Sequence, residues 1–237
     1  MSRTKTQQIS QWSADVRIPA GRVMLDGELA LPRGARGVVL FAHGSGSSRH
    51  SPRNQFVAHT IRAAGIGTLL FDLLTAEEES VDVYTRHLRF DIGMLAERLV
   101  DASRWLEESE SWIRDQALSE HLRPGYFGAS TGGGAALVAA AVLGERVGAV
   151  VSRGGRPDLA GPALTEVKAP TLLIVGGRDE PVIALNQEAY QQLRCEKELK
   201  IVPGATHLFE EPGALDEVAR LAADWFRRHL EPLGKAE

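Results

Sequence analysis

The sequence predicts an α/β fold, about eight strands in a mostly parallel sheet with helices on both faces. Three observations carry this. Short runs rich in Val, Ile and Leu alternate with longer stretches whose apolar residues recur every three or four positions. The runs are apolar almost throughout, as strands are when helices cover both their faces. Polar, glycine-bearing loops follow the runs, at the carboxyl ends where open α/β sheets place their sites.

The elements follow in order. A first strand, "VRI", surrounds Val16, and "RVMLDGELALP" is the second; only "PAG" separates them, so they form an antiparallel hairpin at one sheet edge. "GVVLFAHG" opens the parallel part at Val38 to Ala42. The amphipathic helix "RNQFVAHTIRAAG" leads to the strand "GIGTLLFDLL", and "DIGMLAERLVDASRWLEES" is the next helix. "PGYFGA" is a strand, "TGGGAALVAAAVL" a helix of small and apolar residues suited to burial, and "VGAVVSR" the following strand, placed at Val147 to Val151. "SRGGRPDLAGPALTEVKA" lacks clear periodicity, has room for a short helix, and is too small for a helical cap. "PTLLIVGG" and "ELKIVPG" complete the strands, and "EVARLAADWFRRHL" is the last helix.

The 237 residues, 43% hydrophobic and 24% charged, suit a single domain over 1–237, with 1–12 as a peripheral tail. That tail is mildly basic and has no apolar core of a signal peptide, and no stretch approaches ~18 uninterrupted apolar residues. A formal charge of −4, without a block of Lys or Arg, excludes a nucleic-acid footprint. The expectation is a cytoplasmic monomer or homodimer that binds neither membrane nor nucleic acid. Cys195 is the only cysteine, so no intrachain disulfide or cysteine metal cluster forms; it reads as an inert thiol on a helix.

"GYFGASTGGGAAL" admits two readings. Gly128, Gly132 and Gly134 spell a dinucleotide-binding turn, whereas Gly128, Ser130 and Gly132 spell G-x-S-x-G, a nucleophile on a turn too tight for side chains two residues either side. The dinucleotide fingerprint belongs in the first strand-helix unit of its fold, and Gly128 lies past the middle. A Tyr-x-x-x-Lys pair is also missing, because Leu88, Ser130 and Arg194 follow Tyr84, Tyr126 and Tyr190 at that spacing.

A serine hydroxyl needs a base oriented by an acid. Asp179 follows the strand "TLLIVGG", 49 residues after Ser130, and His207 follows the next strand, 28 residues after Asp179. The order Ser, Asp, His on three post-strand loops is that of the α/β-hydrolase arrangement. His43 also follows a strand and is the alternative base; His59 and His229 lie in helical patterns, and His50, His87 and His121 follow no strand. Acyl transfer further requires amides aimed at the developing oxyanion. Thr131, after the nucleophile, and Ser45, in "AHGSGSS", are the expected donors, with Gly46 the alternative to Ser45 and His43 a brace for the loop. Arg49, Arg53, Arg153 and Arg156 sit on the same loops as a basic rim, with ion pairing to Glu77, Glu78 and Glu79 as the simpler account.

On "FAHGSGSSRHSPRN", "FDLLTAEEE", "LRFDIGMLAERLVDASRWL", "GASTGGGAAL", "GGRDEPV" and "GATHLFEEPG", nearly the whole chain resembles the α/β-hydrolase superfamily and, within it, the small dienelactone-hydrolase-like group. The middle segments are similar to a subgroup of hydrolase domains, some fused to phosphoribosyltransferase-like domains. The resemblance implies an α/β-hydrolase fold with little or no cap, a Ser130–His207–Asp179 mechanism through an acyl-enzyme, and no metal or organic cofactor. Dienelactone hydrolases proper use cysteine where this chain has Ser130, which points to carboxylic esters of small or medium acyl groups. A lactonase or acyltransferase using the same three residues, and a non-catalytic binding module of the same fold, are the alternatives.

Overall fold

The computed structural model describes residues 11–117 and 122–230. Its strands are β1 (Gln11–Ala20), β2 (Val23–Pro32), β3 (Gly37–Ala42), β4 (Gly67–Phe71), β5 (Arg123–Ala129), β6 (Val150–Arg153), β7 (Thr171–Gly176) and β8 (Lys197–Val202). Its helices are α1 (Pro52–Ala63), α2 (Ala76–Thr85), α3 (Ile92–Glu108), α4 (Glu110–Ala117), α5 (Thr131–Leu143), α6 (Glu180–Gln192) and α7 (Ala214–Leu230). The strands form one sheet in the order β1-β2-β4-β3-β5-β6-β7-β8. β1 and β2 make the expected antiparallel hairpin, β2 pairs antiparallel with β4, and every later pairing is parallel.

Strand alternation sorts the core into two layers. Val38, Leu40 and Ala42 of β3 face the cluster built with α3 and α5, while Val39 and Phe41 face the one built with α1 and α7. All six β3 residues are buried, whereas β1 alternates and β8 is mostly half-exposed, as central and edge strands should be. α7 turns Val218, Ala222 and Phe226 inward, and α5 buries ten of its 13 residues. Among the described residues no helix is long and apolar enough to cross a membrane.

Some boundaries differ from expectation. Gln11 and Trp12 belong to β1, where Trp12 packs edge-on against Trp112 of α4 at 5.5 Å, so only residues 1–10 of the expected tail stay outside the described residues, as does His121. β6 begins at Val150 and runs to Arg153, placing Arg153 in the sheet instead of a loop. Cys195 lies between α6 and β8 instead of on a helix; burial raises its thiol pKa, and Thr171 Oγ1 is 3.7 Å from its Sγ. Helices α2, α4 and α6 escaped the periodicity reading. α2 buries only Asp82 and is held by a capping box between Thr75 and Glu78, so its T-x-x-E signature was the available signal. Between β6 and β7 there is a 3₁₀ segment, Pro157–Glu166, broken at Gly161 with φ 50°, and no helical cap.

The sheet order fixes where a site forms. After β3 the chain crosses to α1 on one face, and after β5 to α5 on the other; β3 and β5 are neighbours, with Ala42 opposite Gly128. Their loops therefore part above a crevice at the carboxyl ends of the strands.

Candidate active site

Ser130 stands in that crevice with φ 51° and ψ −122°, a conformation L-residues avoid. The flanking glycines have a steric cause. A Cβ at Gly128 would lie 2.5 Å from the Gly132 carbonyl oxygen, and one at Gly132 would lie 2.1 Å from the Ala42 carbonyl oxygen. Gly44, in the loop after β3, packs so that a Cβ there would be 3.1 Å from Ser130 Cβ. The Ser130 amide donates to the Arg153 carbonyl at 3.3 Å, and the Ser130 carbonyl accepts from Gly133 and Arg156 amides, each at 3.0 Å. The turn is thus fixed on three sides, which is what holding a non-glycine residue at positive φ requires.

The loops after β7 and β8 bring Asp179 and His207 together. His207 Nδ1 donates to Asp179 Oδ2 at 2.6 Å. The alignment is built by the backbone: the Arg178 amide donates to the Ala205 carbonyl at 2.9 Å, and the Gly177 amide to the Val202 carbonyl at 2.8 Å. A side chain at Gly176 would meet the Ala205 carbonyl oxygen at 2.5 Å, so this contact also needs glycine. His207 comes back to the residue just after β6, where a Cβ at Gly154 would be 3.5 Å from its Cε1. With Nδ1 committed to Asp179, Nε2 is the ring's free proton acceptor.

His43 is not free to act as a base. It is buried, its Nε2 accepts from the Leu73 amide at 3.0 Å, and its Nδ1 donates to the Gly44 carbonyl at 3.1 Å. Burial pushes its pKa below the usual histidine value. It ties the loop after β3 to the loop after β4. Behind Leu73 stands a network that the sequence did not reveal: Arg98 donates to the Leu73 carbonyl and to both oxygens of Glu78, at 2.7 and 2.6 Å. This bidentate bond holds the Glu78 carboxyl below its ordinary pKa.

Ser45 and Thr131 meet, with one difference from expectation. The Ser45 amide donates to Thr131 Oγ1 at 3.1 Å and so is engaged by a hydroxyl in this arrangement. The Thr131 amide, in the first turn of α5, has no backbone partner among the described residues.

The four arginines do not pair with Glu77, Glu78 and Glu79. Arg49 pairs with Asp72, Arg53 with Glu210 at 3.4 Å, and Arg156 with Asp158 at 2.7 Å, while Arg153 has no ion pair among the described residues. Glu78 and Glu79 serve Arg98 and Arg89. A cleft of about 650 Å³ opens along the loop after β3 and the start of α2, lined among others by His43, Gly46, Arg49, Arg53, Asp72 and Glu79.

Comparison with known proteins places this geometry. The dienelactone hydrolase family matches residues 25–236. A crystal structure of a dienelactone hydrolase from Anabaena variabilis is 61% identical, covers 93% of this chain and 99% of its own, and superposes with a TM-score of 0.88. A Pyrococcus furiosus esterase shares the fold at 18% identity and TM-score 0.71, over 98% of this chain and 96% of its own. Two curated Mycobacterium tuberculosis proteins, provisionally named phosphoribosyl transferases, are 56% identical over 91% of this chain; the chain spans 46% of their length. The match over residues 25–236 and the agreement with the Anabaena structure show that this chain is an α/β hydrolase belonging to the dienelactone hydrolase family.

Proposed function

We propose that the protein is a serine hydrolase that cleaves carboxylic esters of small to medium acyl groups through an acyl-enzyme on Ser130. The observation that carries the reading is Ser130 itself, held at φ 51° where any glycine would sit more easily. A fold that keeps a strained serine at the carboxyl end of its central strands is using the hydroxyl. His207 takes the Ser130 proton on Nε2 as the hydroxyl attacks the ester carbonyl, and returns it to the leaving alcohol. Asp179 holds Nδ1–H and stabilises the imidazolium that forms. The Thr131 amide, with Ser45 once released from the Thr131 hydroxyl, receives the oxyanion; one such donor is worth ~3 kcal/mol. Water activated by the same histidine then frees the acid.

The absence of a cap between β6 and β7 favours short acyl groups, because added methylenes stay wet and gain little of the ~0.8 kcal/mol each yields on full burial. The test is a p-nitrophenyl ester series with fluorophosphonate labelling. We expect kcat/KM to peak at short chains, Ser130→Ala to lose at least ~10³-fold and the label, and Asp179→Asn to lose ~10²–10⁴-fold. Labelling that persists in folded Ser130→Ala refutes the nucleophile.

A further inference from the structure

Arg153 is a charged residue in a place where charges need company. It closes β6 and lies on the face of Val151, the side covered by α1 and α7. The residue is 8% exposed, and its Nε and Nη1 find no hydrogen-bond partner among the described residues. Burial and the neighbouring Arg53 lower its pKa to about 10, which still leaves it a cation at neutral pH. Arg53, in the first turn of α1, repeats the pattern: its Nε is buried and unpartnered, and its carboxylate partner, Glu210, is 3.4 Å away and 65% exposed. Arg98 and Arg89, by contrast, are paired with Glu78 and Asp82, while Arg62 keeps a buried unpartnered Nε and donates from Nη1 to Thr68 Oγ1 at 2.9 Å. Two adjacent guanidinium groups facing one solvent-screened carboxylate leave an unbalanced positive charge in a desolvated place.

The surroundings suit an anion. The first turn of α1 carries no acidic residue and Ser51 makes no side-chain cap, so the positive end of the helix dipole is open there. Arg53 lines the cleft, and the Arg153 main chain at the end of β6 meets the Ser130 amide. Two forked donors with a single weak counter-charge match a dianion better than a monoanion. A phosphomonoester carries about −1.5 to −2 at pH 7 and three strong acceptor oxygens.

We infer that Arg153 and Arg53 form a binding site for a phosphate dianion, carried by the substrate as a phosphomonoester group. The site stands on its own geometry; its use for substrate rests on Ser130 being the nucleophile. The experiment uses the full chain, wild type and Arg153→Met, with inorganic phosphate as probe and chloride at matched ionic strength as reference. Wild-type Tm should rise with phosphate concentration, by about 5–11 °C at roughly 100 times the dissociation constant. Arg153→Met should start with a higher Tm in phosphate-free buffer, because a buried unpaired charge is gone, and bind phosphate at least 10-fold more weakly. Arg53→Gln, a milder change on the cleft side, should also weaken the response if Arg153→Met fails to fold. Phosphate should raise the KM for p-nitrophenyl acetate without changing kcat, as a group occupying substrate space must. A Tm response equal in all variants, or equal for chloride, overturns the phosphate site; a phosphate-specific Tm response with an unchanged KM overturns its use by substrate. If the acetate ester is not turned over at all, the Ser130 reading falls, and the Tm series still decides the anion site.

Discussion

Replacing Gly132 by alanine tests whether close backbone approach, and not chain flexibility, explains the glycines around Ser130. The added Cβ would lie 2.1 Å from the Ala42 carbonyl oxygen and 2.7 Å from that of His43. Both are main-chain atoms of an inner strand end, so nothing can rotate aside, and the gap between β3 and α5 must open by roughly 1 Å. Overpacking of this kind costs about 1–3 kcal/mol. For a chain of this size that lowers Tm by about 2–12 °C. The strand end that moves carries Gly44 and Ser45, and a displacement near 1 Å at a reacting centre costs about 10²-fold in rate. Gly144→Ala is the control: its Cβ meets nothing within 4 Å, yet φ is 60°, so it carries only local strain of about 1–2 kcal/mol at the far end of α5. Thermal unfolding and kcat/KM on a short ester should therefore separate the two, both losing Tm and only Gly132→Ala losing activity. Equal, near wild-type activity in both would refute the steric account.

Three further outcomes follow from the same geometry. Ser130→Gly should melt about 2–4 °C above Ser130→Ala, since only glycine relieves the positive φ, with strain of about 1 kcal/mol; matching melting temperatures would deny that the turn is strained. Because burial depresses His43, the unfolded chain takes up its proton near the ordinary pKa of 6.5 while the folded chain resists, so stability should fall as pH drops from 6.5 toward the lowered folded value. His43→Gln should flatten that dependence in Tm measured from pH 7.5 to 5; His229, also lowered by burial, contributes the same sign in both proteins and leaves the difference to His43. Thr131→Val removes the hydroxyl that engages the Ser45 amide and spares exchange of a bond worth about 1 kcal/mol, so kcat should hold or rise by up to ~5-fold. A 100-fold fall would instead make the hydroxyl itself part of the site.

The central strands were legible because they are short and apolar, and Ser130, Asp179 and His207 were legible because each stands just beyond a strand, in a glycine-bearing loop. What stayed hidden depends on partners distant in sequence. The buried bridge from Glu78 to Arg98 and the packing of α2 across the loop after β4 leave no periodic trace, since α2 turns only Asp82 inward. Arg153 was readable as a charge near the site, but its burial followed only once β6 extended two residues beyond Val151 and carried it into the sheet. The engagement of the Ser45 amide is a matter of one hydroxyl's position, which no spacing rule records.

The loop after β3 explains why so many charges gather behind an uncharged turn. Its residues must present amides, and a loop of glycine and serine has no side chains to anchor itself. Anchoring comes through its first residue and from neighbours: His43 reaches Leu73, whose carbonyl is gripped by Arg98, and a Cβ at Gly46 would lie 3.6 Å from Arg89 Nη1. Arg89 is itself fixed by Asp82 at 2.6 Å and Glu79 at 3.1 Å, and Asp82 also takes the Leu88 amide at 2.6 Å. The acidic run of α2 thus acts through Arg89 and Arg98 on the loop and not on the cleft arginines. That division leaves Arg153 and Arg53 without an ion pair to α2, and Glu79, which shares the cleft with Arg53, is engaged by Arg89, which is the electrostatic condition an incoming anion needs.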